Sequence, residues 1–274
     1  MTFLFWNINK QPLQHLVAKL AREHSVDVLI LAECKIGLTD LLEALNGSHK
    51  QKYGLIYHNP DKRIIILSLF QRKAFKQLQV EKDERTFAVH ALQPPIGEEI
   101  ILVSAHLLSK LRKSDHEQYT NAVRVACLIR KAEIKAGHTK TLIVGDLNMN
   151  PFEPGVMGGN AFHAVMTKDL ARQESRQVNG AERLYFYNPM WGLFGDNTPG
   201  PPGTYYYYKS GDDLNYFWNT FDQVLLRPQL LPYFRDSDLQ VLTKIGTDSL
   251  LTKGGRPRKA KVSDHLPVLC RLTI

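Results

Sequence analysis

Cysteine is scarce in this 274-residue sequence: Cys34, Cys127 and Cys270 are odd in number, far apart and form no CxxC pair. Neither a disulfide framework nor a zinc cluster follows from such spacing, and a reducing compartment fits it best. Long apolar runs are missing too. No run approaches the roughly 20 residues a membrane-spanning helix needs, which speaks against an integral membrane protein. The N-terminus enters a candidate strand, Phe3-Leu4-Phe5-Trp6-Asn7-Ile8, with no basic n-region, h-region or small-residue cleavage site. The expectation is a cytoplasmic protein that is mature from Met1. With no internal repeat and no low-complexity linker, residues 1–274 are expected to form one domain. Acid is the minority charge. Asp and Glu number 27 against 35 Lys and Arg, a formal net charge of +8. Such an excess attracts polyanions, but does not choose between nucleic acid and an acidic membrane surface.

Short β-rich apolar runs, by contrast, are plentiful. They cover Phe3–Ile8, Val28–Ala32, Leu55–Tyr57, Ile64–Leu69, Phe87–Leu92, Ile100–Ala105, Thr141–Val144, Tyr205–Tyr208, Phe221–Leu226, Leu239–Leu242 and Val268–Ile274. Several are almost continuously apolar, the mark of strands covered on both faces. Helical spacing is confined to three stretches. Leu13, Leu16, Val17, Leu20 and Ala21 recur at one-face intervals behind Pro12, a favourable first-turn residue. A long helix is expected over Asp115–Ala136, opened by a Ser114/Glu117 capping box and stopped by Gly137, and a short one should follow Thr39 and end at Gly47. Many strands with few helices imply a four-layer α/β/β/α sandwich, two packed mixed β-sheets with outer helices, because each sheet must cover its second face.

The ends of these strands carry polar residues that packing alone does not require. Asn7 and Asn9 close the first, Glu33 the second and His106 the run Leu102-Val103-Ser104-Ala105. Asp146 and Asn148 follow Leu142-Ile143-Val144-Gly145, Asp222 opens Asp222-Gln223-Val224, and Asp264-His265 precede the last strand. Acid, amide and imidazole from six strand ends suggest one convergent site. Hard oxygen ligands suit Mg²⁺ or Mn²⁺, with Glu33 the first-choice ligand, and such a metal stabilises charge on a phosphoryl oxygen. Asp146 could orient or deprotonate an attacking water, Asn148 and Asn7 could donate to phosphoryl oxygens, and His265 and His106 could do so when protonated. Asp222 is the candidate carboxylate to raise and orient His265.

Each residue also has a bland explanation. A lone acid such as Glu33, Asp222 or Asp264 at a strand end is usually a solvated cap. Asn7 could be an ordinary turn residue, and Gly-Asp-Leu-Asn is an Asx-turn by default. A buried Asp-His pair before a strand can be structural. The ordered combination is what chance does not readily supply.

Taken in order, WNIN, LILAE, SAHL, VGDLNMNP, FDQVLL and SDHLPV resemble the endonuclease/exonuclease/phosphatase superfamily, with its deoxyribonuclease-I-like fold, from Trp6 to Val268. The resemblance implies a four-layer sandwich and a Mg²⁺- or Mn²⁺-dependent phosphoesterase. It also implies that Asn7 and Glu33 form the metal side with Asp264, that Asp146 and Asn148 activate water and contact phosphate, and that His265 contacts phosphate with support from Asp222. His106 is similar to the histidine of the deoxyribonuclease, sphingomyelinase and inositol-phosphatase branches. Asn9, read as a substrate-side residue, stands where several abasic-site endonucleases carry aspartate, which weakens a DNA-repair assignment. Arg85 resembles a phosphate-contacting arginine of the superfamily, although an ordinary surface arginine explains it as well.

One scaffold of this kind serves several phosphate esters, so the loops decide the substrate. Lys253-Gly-Gly-Arg256-Pro-Arg258-Lys259-Ala-Lys261 holds five cations and no acid directly before Asp264. Arg256, Arg258 and Lys259 are therefore candidate contacts for a polyphosphate backbone; a solvated hairpin tip is the alternative. Tyr205–Tyr208 and Tyr216-Phe217-Trp218 could stack unpaired bases, or could be alternating strand positions half in the core. The leading expectation is a nuclease acting on DNA or RNA by in-line attack of water. A phosphatase or phosphodiesterase for a small or lipid phosphate, such as an inositol phosphate, is the main alternative. A non-catalytic nucleic-acid-binding module is a third, disfavoured because no catalytic-type position is lost.

Overall fold

A computed structural model describes residues 1–47, 52–59, 61, 63–78, 85–111 and 113–274. Two large mixed sheets dominate it. The first runs in the order Leu239–Val241, Val268–Arg271, Thr2–Asn7, Val28–Ala32, Ile64–Ser68, Gly54–His58. The second runs Phe75–Gln77, Phe87–Leu92, Ile100–His106, Thr141–Asp146, Asp222–Leu226, Phe186–Tyr187, Ala164–Val165.

Alternation along the strands builds three apolar layers. Phe3 and Phe5, Val28 and Ile30, Ile100 and Leu102, Leu142 and Val144, and Val224 and Leu226 meet between the sheets. Leu4, Trp6, Leu29 and Leu31 point the other way, onto Val17, Leu20, Leu41 and Leu45 of the helices Gln14–Glu23 and Leu38–Asn46. On the far side Val89, Ile101, Val103, Ile143 and Leu225 pack on Ala122, Val125, Ala126 and Ile129 of the helix Asp115–Ala136. The result is the α/β/β/α sandwich expected from the sequence. Among the described residues no helix is long and apolar enough to cross a membrane, and no disulfide links the cysteines.

The long helix has the predicted ends. Ser114 accepts from the Glu117 amide, Glu117 reaches back to the Ser114 amide, and Gly137 takes the left-handed conformation at φ 78°. Most strands differ from expectation by one or two residues at one end or both, and two boundaries differ in kind. The first helix starts at Gln14 with Leu13 as its cap, leaving Pro12 in the preceding turn, and the last strand ends at Arg271 rather than Ile274. The polar hairpin of Ser175–Val178 and Ala181–Leu184 escapes periodicity, and the strand Phe217–Asn219 is too short to show one.

Candidate functional site

Four polar side chains continue the apolar rows between the sheets. Asn7 follows Phe3 and Phe5 at the same parity, His106 follows Ile100 and Leu102, Asp146 follows Leu142 and Val144, and Asp222 precedes Val224 and Leu226. Register aligns them. His106 lies opposite Asp146 across a parallel pair, and Asp146 opposite Asp222 across an antiparallel one. The interior thus turns from apolar to polar at one edge of the sandwich, and three of these residues sit side by side on adjacent strands.

Gly145 makes that alignment possible. A Cβ there would sit 2.1 Å from the Ala105 carbonyl oxygen, so only glycine lets the strand ending in Asp146 lie against its neighbour. Asp146 is 1% exposed. Its Oδ2 accepts from Asn7 Nδ2 at 3.0 Å, a bond between the two sheets, and its Oδ1 accepts from the Asn148 amide at 2.9 Å. Asn7 Oδ1 in turn accepts from the Asn9 amide at 3.0 Å, so both ends of the Asn7 carboxamide are engaged. Asn148 donates from Nδ2 to the Leu107 carbonyl at 3.1 Å, which leaves one of its two amide hydrogens for another partner.

Glu33 arrives by a different device. Alternation after Ala32 would turn residue 33 towards the helices, but its backbone is left-handed, φ 48°. Its carboxylate instead faces Lys10 Nζ at 3.1 Å and His106 Nε2 at 3.7 Å. Asn9, Lys10 and Asn148 are left-handed as well, at φ 44°, 62° and 52°. Backbone of this kind is costly outside glycine, of order 1–3 kcal/mol per residue, and gathers at functional sites.

On the other flank Asp222 Oδ2 lies 2.8 Å from His265 Nδ1, with Asp222 fully buried. Burial alone would push the His265 imidazole down. The Asp222 carboxylate, with Asp146 and Asp264 behind it, reverses this and pushes it up to about 10. Burial raises Asp222 too, while the imidazole charge pulls it back. Asp264 is partly exposed and 3.4 Å from Lys259 Nζ.

Several supporting groups carry no sequence signal. Thr204 Oγ1 accepts from the Asp222 amide at 3.1 Å, and Ser263 Oγ donates to the Asn7 carbonyl at 2.7 Å while accepting from the His265 amide. Tyr205 bridges to His265 through the backbone and lays its ring 4.7 Å from the imidazole. Burial pushes its hydroxyl up to about 12, helped by Asp264. Apart from the local Ser263–His265 bond, sequence reasoning cannot see these contacts because they pair residues between 18 and 256 positions apart.

The other residues singled out from the sequence divide. Lys259 reaches the site beside Asp264, and Arg256 lies with its guanidinium 4.5 Å from the centre of the Tyr206 ring. Arg258 is turned back into its own loop, donating to the Ser249 carbonyl at 3.1 Å. Arg85 pairs with Asp61 at 3.0 Å on the exposed surface.

The donor chemistry fits a divalent cation. One ligand atom each from Asp146, Asp222 and His265 falls within 4.8 Å of the others. His106 Nε2 stands 3.7 Å from Glu33 and 3.9 Å from Asp146, too far for hydrogen bonds, so two carboxylates and an imidazole leave a polar gap between them. Carboxylate oxygens dominate the set, as hard cations require.

A four-layer sandwich with these groups at one edge defines a phosphoester-hydrolysing enzyme. The chain belongs to the endonuclease/exonuclease/phosphatase family, whose model matches residues 4–265. Among solved structures it resembles a protein of that family from Leptotrichia buccalis (TM-score 0.62, 13% identity, 100% of both chains). It is also similar to an AP endonuclease from Archaeoglobus fulgidus (0.57, 15%, 100% of both) and to the 3′ phosphatase NExo from Neisseria bound to a product DNA hairpin (0.59, 15%, 99% of both). No curated protein sequence matches it.

Proposed function

We propose that this phosphoesterase is a Mg²⁺- or Mn²⁺-dependent nuclease that hydrolyses phosphodiester bonds of DNA or RNA by in-line attack of water. The observation that carries the proposal is the alignment of His106, Asp146 and Asp222 on adjacent strands, with Asn7 bonded to Asp146 and His265 bonded to Asp222. It puts a buried carboxylate, fixed in orientation, beside an imidazole that the Asp222 carboxylate biases towards its charged form. Support for a polynucleotide comes from the basic loop at Asp264 and from the DNA bound to the Neisseria relative.

In this mechanism Glu33, with Asn7 and Asp264, would hold the cation. When bound it acts as a Lewis acid on a phosphoryl oxygen. Asp146, oriented by Asn7 and the Asn148 amide, directs a water at phosphorus and takes its proton as the new P–O bond forms and the bond to the leaving oxygen breaks. His265 donates to a non-bridging oxygen as charge builds there, and Asp222 keeps the imidazole charged and aimed. His106 and the remaining Asn148 amide hydrogen serve the other phosphoryl oxygens. Asn7, which holds Asp146 through one Nδ2 hydrogen, also acts as a positioning residue for Asp146.

Turnover of labelled single-stranded DNA, duplex DNA, RNA and a panel of inositol and nucleotide phosphates tests this, with Mg²⁺, Mn²⁺ or EDTA. Polynucleotide cleavage that EDTA abolishes, and that Asp146→Ala lowers by about 10²–10⁴-fold, is the expected result. Phosphate release from the small esters alone would move the protein to the phosphatase reading.

A further inference from the structure

The two sheets give the site two ends. In the first sheet the strand of Asn7 lies between the strand leading to Glu33 and the strand that follows His265; in the second the strand of Asp146 lies between those of His106 and Asp222. The bonded pair Asn7–Asp146 therefore sits at the centre, with Glu33 and His106 at one end and Asp222, Asp264 and His265 at the other.

Each end is cationic. At the Asp264 end stands Lys259, and Arg256 of the same loop lies over the Tyr206 ring. At the other a cleft of about 440 Å³ opens from Glu33 and His106, lined by Lys10, Lys35, Arg63 and Lys113, and by Asp61, which is paired with Arg85. Lys10 is paired with Glu33 and Lys113 with Glu117. Lys35 and Arg63 have no carboxylate within ion-pair distance among the described residues, although both line the cleft. Two cations without a carboxylate partner among the described residues, facing one concave space, favour an anion there. A phosphate seated at Asp146 cannot occupy this cleft and the Lys259 loop as well; a chain of phosphates crossing the centre can.

We propose that the Lys35–Arg63 cleft binds phosphates on the opposite side of the scissile bond from Arg256 and Lys259, so that the enzyme takes an internal phosphodiester and cuts within a strand rather than from its end. This rests on the nuclease reading. A terminal phosphate or a small ester would leave one of the two cationic ends empty, whereas an uninterrupted polynucleotide fills both.

Covalently closed circles of single-stranded DNA and of RNA, which have no ends, separate the possibilities, each compared with its linear form in Mg²⁺ and with Asp146→Ala as control. Linearisation of at least one kind of circle by the wild-type protein is expected. The variant Lys35→Glu/Arg63→Glu should raise KM for that circle about 10-fold or more, with kcat held within about twofold. The loss on a dinucleoside monophosphate, too short to reach the cleft, should be smaller. Digestion of linear strands that spares both circles would overturn internal cleavage while leaving a nuclease in place; a circle KM untouched by the double substitution would remove the cleft from the substrate path. Absence of cleavage of either form, and of closed and linear duplex DNA, would remove the nuclease reading itself. Should charge reversal unfold the protein, as a thermal melt would show, Lys35→Ala/Arg63→Ala serves, with the same KM rise expected on a smaller scale.

Discussion

Asn7 is where the two sheets meet chemically. Its amide nitrogen holds Asp146 and its oxygen accepts from the Asn9 amide, which still leaves one amide hydrogen and one oxygen lone pair for a phosphate or a metal. Asn7→Ala should lower kcat by roughly 10–100-fold, the usual cost of removing an orienting partner, and Asn7→Asp should lower it at least as far by setting a carboxylate against Asp146. Steady-state kinetics on any cleaved substrate reads both. A second residue acts on stability instead. His90 is 2% exposed, flanked edge-on by Tyr57 and Phe75, and burial pushes its imidazole down from 6.5 to about 4. Above pH 6.5 it is neutral folded or unfolded and costs nothing. Between 6.5 and about 4 only the unfolded chain takes up the proton, so stability falls with pH by up to about 1.4 kcal/mol per unit. His90→Phe should flatten that part of the curve; urea denaturation at pH 7 and pH 5 measures it, and an unchanged slope would clear His90 of responsibility for acid sensitivity.

Among elements, the strand Thr141–Asp146 leaves the least room for change. Gly145→Ala would drive a methyl group into the Ala105 carbonyl. A loss of about 1–3 kcal/mol or more is expected, with activity falling alongside because the shift displaces Asp146; denaturation and turnover on the same sample separate the two. At the other extreme, Ser114→Ala should cost only about 1 kcal/mol, the worth of an N-cap, and leave kcat alone. What can be read in advance follows the same division. The long helix is legible to the residue because a capping box, a 3.6-residue repeat and a terminal glycine are all local. The rows ending in Asn7, His106, Asp146 and Asp222 are legible because a strand's parity is set by its own sequence. The Ser175–Leu184 hairpin, polar and exposed, offers no apolar repeat. Nor does any local pattern announce that Thr204 will hold the Asp222 amide or that Lys10 will sit on Glu33.

For the whole molecule, the +8 net charge divides into cations that face the site and cations that are otherwise engaged. The sequence puts Arg256, Arg258 and Lys259 on an equal footing, but folding turns Arg258 inward to Ser249. Arg256→Ala and Lys259→Ala should each reduce the slope of log K against log salt by about 0.7–0.9, the yield of one phosphate contact, while Arg258→Ala weakens binding only so far as it loosens the loop. Fluorescence anisotropy with a labelled oligonucleotide across a salt series distinguishes them; equal slope changes at all three positions would contradict the loop geometry.

The left-handed backbone at Glu33 and Asn148 bears on how such a chain would evolve. Glycine adopts those angles without steric cost, so a copy released from selection for catalysis would gain by drifting to glycine there and would melt at a higher temperature once it had. Glutamate and asparagine at these two positions are then the signature of an enzyme still in use, and the same two positions are where any effort to harden the protein against heat would meet its sharpest opposition from turnover.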